Sequence, residues 1–574
     1  MQEAIFSRMR WVTVGLALVA ALVVFQLVRI QFGSDTGYFR DLGAEVSQQP
    51  REFAPARGRI FDRDDELLAT NDVQYEVGIN PNFVIAPDQV TRVLAEALGK
   101  PESEIEAAVA SNDRYVLVAR PVTAEVGEYI KRASATDGIN LNGVSLTPIA
   151  HRAYPGGVLG AGTLGFVGYN QLNNQVGYYG VEGFYNDLLS GKSVQGIEQL
   201  VPFDTQPNPV PAQGADLVLT IDRDIQFLVE GILKDAVTRY GAQSGTIVVM
   251  DPKTGEILAM ASNPSFDPNN YGVSPLPEPL NSGVTGQYEP GSTFKVLTMA
   301  AALDSGLVNP NSPFNDSGVI EVGGAQIRNW DGGAWGAVDM TGCMRHSLNV
   351  CMAYLSTSMG ANTFYDYMRS FGIGSKTNVD LSAESPGHLK IPGDPDWFDS
   401  DLGTNAFGQG VAVTPLQLLT AIGAVANDGV MMQPHILKEV RNGDASHTTS
   451  IQPLGQPITA DTARTLSAML ATSLETGEAQ DALVPGYRIA GKTGTASIPV
   501  PGGYDETQTI ASFVGWGPID DPKFLVLVRL DRPSASIWGS ETAAPTFGVL
   551  ARRLVVLMQI PPDDVRVQMA AAQP

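Results

Sequence analysis

Residues 11 to 28, WVTVGLALVAALVVFQLV, carry no charge and follow Arg8 and Arg10. A run of this length and apolarity approaches the roughly 20 residues needed to cross a bilayer as a helix. A cleaved signal peptide would have a shorter apolar core with a small-x-small cleavage site after it, and no clear site follows here. Arginines ahead of the run place the N-terminus on the cytoplasmic side. The sequence therefore predicts a cytoplasmic tail over 1–10, a transmembrane anchor over 11–30, and a chain whose bulk folds beyond the membrane.

At 574 residues that bulk is expected to hold two or three domains. The proline-rich stretch QPNPVPAQG, 206–214, is the best boundary, leaving an N-terminal domain over 31–205 and a larger one over 215–560. In the larger part, ADLVLTIDRDIQFLVEGILKDAV reads as a strand and an amphipathic helix, and GTIVVMDPKTGEILAMAS as a hairpin. A block of helical periodicity follows through about 427, then strands return at YRIAGKTGTAS and KFLVLVRLD, and a last helix closes the domain. Strands at both ends of a helical block predict an α+β fold whose antiparallel sheet collects strands from both ends of the domain. The tail over 561–574 is expected to be disordered.

Charge and composition exclude several functions. A net charge of -24 leaves no basic surface for nucleic acid. The five histidines are scattered without ligand spacing, so no metal is implied and no other cofactor is called for. The two cysteines, Cys343 and Cys351, would stand about 12 Å apart along one continuous helix, too far to bridge; a turn between them would allow pairing, and the question stays open.

Chemistry enters at YEPGSTFKVLTMAAAL, 288–303, a helix entered through Pro290 and Gly291. Ser292 stands at its start, and Lys295, three residues on, stacks over it. Apolar neighbours imply burial, which lowers a lysine's pKa and turns the amine into a base for the hydroxyl. Alone, S-x-x-K is a frequent accident, and serine is a common helix cap.

Three further matches decide between these readings. GYRIAGKT, 486–493, satisfies the phosphate-loop spacing, but prolines and glycines follow where a helix is required, so no nucleotide is implied. GAGTLG, 160–165, matches a dinucleotide fingerprint without a clear strand before it or a helix after it, and reads as a loop. The third match is a set. Ser292 with Lys295, Ser347-Leu348-Asn349, and Lys492-Thr493-Gly494 form, in this order, the Ser-x-x-Lys, Ser-x-Asn, Lys-Thr-Gly triplet of penicillin-binding proteins and class A β-lactamases.

With PARGRIFDRDDELLATN, RAYPGG and GVEGFYNDLLSG in the N-terminal domain, the chain resembles a class B penicillin-binding protein over nearly its whole length. Asp65 stands where the family usually has glycine, and Gly162 where it often has histidine. The resemblance implies a penicillin-binding transpeptidase fold, an antiparallel sheet flanked by helices, with an elongated N-terminal pedestal of the dimerisation type over 31–205. It also implies a membrane-anchored D,D-transpeptidase, with its catalytic domain outside the cytoplasm, that cross-links peptidoglycan stem peptides and is acylated by β-lactams. Ser292 would be the nucleophile and Lys295 its base. Ser347 would relay protons, and Asn349 would hold Lys295 and the substrate amide. Lys492 and Thr493 would bind the substrate carboxylate, Gly494 would leave room for the substrate strand, and the amides of Ser292 and Thr495 would form the oxyanion hole. Glycan polymerisation would need a partner, a SEDS-type polymerase in the same membrane. The alternative is a hydrolase on the same scaffold, a D,D-carboxypeptidase or β-lactamase; no E-x-x-L-N segment to position a deacylating water follows Ser347. A β-lactam receptor would need more than the short cytoplasmic tail.

Overall fold

The computed structural model of the chain describes residues 2–32, 48–53, 55–171, 175–199, 212–273 and 281–571. Two compact units are present, Met1–Ala56 with Gly191–Gly214, and Arg57–Ser190 with Ala215–Pro574. The division therefore does not fall at the proline-rich stretch alone. Pedestal residues 57–190 share a unit with the larger domain, and 206–211 lie outside the described residues.

In the first unit, one helix runs Gln2–Phe32. Its segment Met9–Arg29 is apolar and long enough to cross a membrane, with its side chains exposed. Strand Gln48–Phe53 pairs antiparallel with Val194–Gln199.

The second unit begins with the pedestal. Strand Leu67–Ile79 runs between Val116–Val122 and Val144–Ala153, antiparallel to both. Tyr75, Val77 and Ile79 alternate onto one face and bury against Val90, Leu94, Ile105 and Ile130 of the covering helices. The turn before this strand explains the departure at Asp65. Its φ is 67°, the left-handed region that glycine occupies freely and aspartate tolerates. Asp65 also pairs with Arg441 at 2.6 Å. At Gly162 a Cβ would meet only Asn281, at 3.8 Å, so that departure strains nothing. The GAGTLG stretch, expected as a loop, contains a single helical turn, Ala161–Leu164.

A buried ion cluster holds the pedestal base. Glu182, fully buried, receives Arg57 Nε at 2.7 Å, Arg152 Nε at 2.6 Å and the Tyr154 hydroxyl at 3.2 Å. Tyr185 then donates to Asp380 at 2.7 Å, and Asp380 accepts the amides of Ile436 and Leu437. Strand Ile60–Phe61 also pairs in parallel with Asp216–Leu219, which continues to Leu437–Asn442.

The larger domain holds a five-stranded antiparallel sheet in the order Ile257–Asn263, Ser244–Met250, Phe524–Asp531, Gly503–Gly517, Ala490–Val500. Strands from both ends of the domain do meet. Phe524–Asp531 is apolar almost throughout because both its faces are covered. Phe524, Val526, Val528 and Leu530 pack with Phe547 and Leu550 of the closing helix Ala543–Leu557; Leu525 and Leu527 face the helical block that contains Leu297 and Leu419. The tail corrects its expectation. Asp563–Ala571 is a helix, anchored where the Asp563 amide donates to Gly486 O and Arg566 pairs with Asp563 and Asp520; residues 572–574 lie outside the described set.

Candidate active site

Gly291, at φ 55°, turns the chain so closely against strand Ala490–Val500 that a Cβ on it would stand 3.1 Å from Thr495 O. The segment starts as a tight 3-10 turn, Gly291–Phe294, and Lys295 is the first residue of the α-helix Lys295–Asp304. Ser292 is thus not the cap of a regular helix. It lies partly buried in the tight turn, and among the described residues its Oγ has no hydrogen-bond partner.

Lys295 reaches from the helix into a ring of oxygens. Its Nζ lies 2.5 Å from Ser347 O, 3.2 Å from Ser347 Oγ and 2.7 Å from Asn349 Oδ1. Ser347 occupies a turn between helices Met340–Arg345 and Asn349–Met359, at φ 52°, a rare conformation for serine. Asn349 is fixed on its other side, its Nδ2 donating to Arg328 O at 3.0 Å.

From the edge strand, Lys492 Nζ donates to Ser347 Oγ at 3.0 Å and to Thr493 Oγ1 at 3.2 Å. Both lysines are buried, Lys295 completely. Among the described residues neither pairs with a carboxylate. Burial, reinforced by the charge of Lys492, holds the Lys295 amine well below the ordinary lysine range. Burial pulls Lys492 down to about 8, against the attraction of Glu478. Both lysines reach the same Ser347 hydroxyl, and burial favours the neutral amine at Lys295. The neutral amine keeps two N–H groups for Ser347 O and Asn349 Oδ1 and leaves a lone pair for a hydroxyl proton.

Thr493, Gly494 and Thr495 follow Lys492 along the free edge of the sheet. Gly494 is constrained from behind: a Cβ there would fall 2.3 Å from Ser512 Oγ and 3.0 Å from Pro290 O. Its bare backbone is what lets the strand lie against the Ser292 turn. Thr495 Oγ1 accepts the Gly539 amide at 3.0 Å.

Hydrogen bonds gather four of the five candidate catalytic residues, Lys295, Ser347, Asn349 and Lys492; Ser292 stands in the turn that leads into the Lys295 helix, and the Ser292–Lys295 hydrogen bond is not formed. The structure adds neighbours to the site, and His346, next to Ser347 in sequence, packs there as its position suggests. Trp330, with Ser347, Lys492 and Thr493, lines a hollow of about 50 Å³, and Trp330 packs edge-on against Trp538 at 5.2 Å. His346 stacks on Trp335 at 3.7 Å. The tryptophans of NWDGGAW, 329–335, were the available signal. Cys343 and Cys351 form a disulfide with Cα atoms 6.2 Å apart, because the helix breaks between them.

The model of the penicillin binding protein transpeptidase domain matches residues 245–552, more than half of the chain, and that of the penicillin-binding protein dimerisation domain matches 52–202. The chain belongs to the penicillin-binding protein transpeptidase family. This penicillin-binding protein is 35% identical over 518 residues to stage V sporulation protein D of Bacillus subtilis, covering 87% of this chain and 78% of the relative. It is 31% identical over 535 residues to the peptidoglycan D,D-transpeptidase FtsI of Escherichia coli K12, covering 90% and 86%. Its fold is similar to the crystal structure of penicillin binding protein 3 from Mycobacterium tuberculosis complexed with aztreonam, with a TM-score of 0.70 at 27% identity, over 89% of this chain and 98% of that one.

Proposed function

We propose that the chain is a serine D,D-transpeptidase that cross-links peptidoglycan stem peptides through an acyl-enzyme on Ser292. One observation carries the reading: Lys295, Asn349 and Lys492 converge on the Ser347 turn, and among the described residues no carboxylate pairs with Lys295, which leaves its buried amine to act as the base. Lys295 takes the Ser292 proton as Oγ bonds to the carbonyl carbon of the penultimate D-Ala. Ser347 passes that proton to the leaving nitrogen, the amide breaks, and terminal D-Ala departs. An amine of a second stem peptide then attacks the ester carbonyl, gives its proton to Lys295, and Ser292 Oγ leaves with a proton. Lys492 and Thr493 hold the donor's carboxylate, and the Ser292 and Thr495 amides stabilise the oxyanion, a donor of this kind being worth about 3 kcal/mol.

β-Lactams acylate the same serine because they mimic the scissile amide, as the aztreonam complex of the mycobacterial protein supports. The catalytic domain lies outside the cytoplasm: the arginines before the anchor support this orientation, and so does the disulfide, a bond of oxidising compartments. A SEDS-type membrane polymerase supplies the glycan strands. The test is product analysis with a D-Ala-D-Ala donor and an amine acceptor. A new amide linkage that is lost in Ser292→Ala is expected; hydrolysed donor alone would favour the carboxypeptidase alternative.

A further inference from the structure

We propose that the Cys343–Cys351 disulfide is a positioning element of the acylation centre, fixing Ser347 and Asn349 around Lys295. This rests on the acyl-transfer reading above and adds a residue pair to it. The bond closes the short segment Met344–Val350, and that segment contains both side chains that surround the amine. Other restraints on the segment anchor it to residues 328–330 rather than tying its two ends together: Trp330 Nε1 donates to His346 O at 3.1 Å, Asn349 Nδ2 to Arg328 O at 3.0 Å and Val350 N to Asn329 Oδ1 at 3.2 Å. The backbone bonds across the turn are His346 N to Gly342 O at 2.9 Å, Ser347 N to Met344 O at 3.3 Å and Leu348 N to Cys343 O at 3.0 Å.

The turn needs a restraint for two reasons. Ser347 is held at a φ of 52°, which serine rarely adopts. Two buried lysines also reach its hydroxyl, at 3.2 Å and 3.0 Å, and whenever both are charged their repulsion tends to spread the turn. The disulfide opposes that spreading from within the core, where Cys343 and Cys351 are both fully buried. A bond closing so small a loop removes less freedom from the unfolded chain than one closing a long loop, and in the folded state it acts locally. Both cysteines belong to the large core around Met344, Leu348 and Met352, so reduction, which keeps both sulfurs in place, separates the bond from the packing.

The test uses the full-length protein in detergent, comparing wild type, Cys343→Ala/Cys351→Ala, and wild type with the bond reduced. Penicillin acylation rate, its pH profile and melting temperature are read for each. The expected result is acylation slowed about 10- to 100-fold, as for a misplacement near 1 Å. The acid limb should move to higher pH as Lys295 gains solvent, and reoxidation of the reduced wild type should restore both. Wild-type rate and profile without the bond would overturn the proposal. If the double variant does not fold, the reduced wild type, which keeps both side chains, decides. Ser292→Ala run alongside separates the two failures: labelling of that variant would mean the acyl-transfer reading itself is wrong.

Discussion

Replacing Lys492 by methionine removes a buried positive charge while keeping an apolar stem of similar length, and it tests how the site makes its base. Lys295 Nζ and Lys492 Nζ lie 3.2 Å and 3.0 Å from the same oxygen, so they are at most about 6 Å apart, the sum of those lengths. Two unit charges at about 6 Å repel by ~3 kcal/mol at an effective dielectric near 20, and by ~0.7 kcal/mol in water. At about 1.4 kcal/mol per pKa unit this is roughly 0.5 to 2 units, with the burial of both groups favouring the upper part. The sign follows directly. Lys492 disfavours the charged form of Lys295, so its removal raises the Lys295 pKa. Acylation needs neutral Lys295, so the acid limb of the second-order acylation rate should move about 1 to 2 units to higher pH. The wild type should also lose rate on the alkaline side near pH 8, where Lys492 gives up the proton that attracts the substrate carboxylate. That limb should vanish in Lys492→Met. The assay is fluorescent penicillin labelling followed across pH, reading where the limbs fall rather than the maximal rate, which drops with the lost carboxylate contact. An unmoved acid limb, or one moved to lower pH, would refute the paired-lysine reasoning.

Two other outcomes test the scaffold and the strand. Glu182→Gln leaves Arg57 and Arg152 buried without their counter-charge and should cost about 3–5 kcal/mol, read as a fall in denaturation midpoint. Burial alone would raise the Glu182 pKa, but the two arginines outweigh it and hold it below the ordinary carboxylate range. Its contribution is therefore present above the unfolded carboxylate pKa and lost as pH falls through the lower folded value, so variant and wild type should converge in stability in acid; a gap that persists there would contradict this. Gly494→Ala must displace Ser512 or the strand, given the 2.3 Å clash, and should slow acylation about 100-fold while circular dichroism stays native; wild-type acylation would remove the strand's close approach from the mechanism.

Much of the candidate site is legible in the sequence because it depends on residue types at short fixed spacings. Ser292 and Lys295 share a helix start, and Lys492 to Thr495 share a strand, so local geometry settles much of their relation. The sheet order was legible only as a class, since apolar strands such as Phe524–Asp531 name no partner. What escaped depended on backbone conformation. The disulfide is not readable from spacing, which along one helix forbids it, and nothing in HSLN announces a left-handed Ser347 that breaks the helix. The duty of Gly494 towards Ser512 and Pro290 also required the fold. The terminal helix is not legible locally because its anchors, Gly486 and Asp520, are distant in sequence.

The most direct measurement is peptide mapping by mass spectrometry of the full-length protein after brief exposure to penicillin. A single acyl adduct of the intact antibiotic's mass is expected on the peptide containing Ser292, absent from Ser292→Ala and strongly reduced in Lys295→Ala. An adduct on any other residue, or undiminished labelling of Ser292→Ala, would contradict the assignment of the nucleophile.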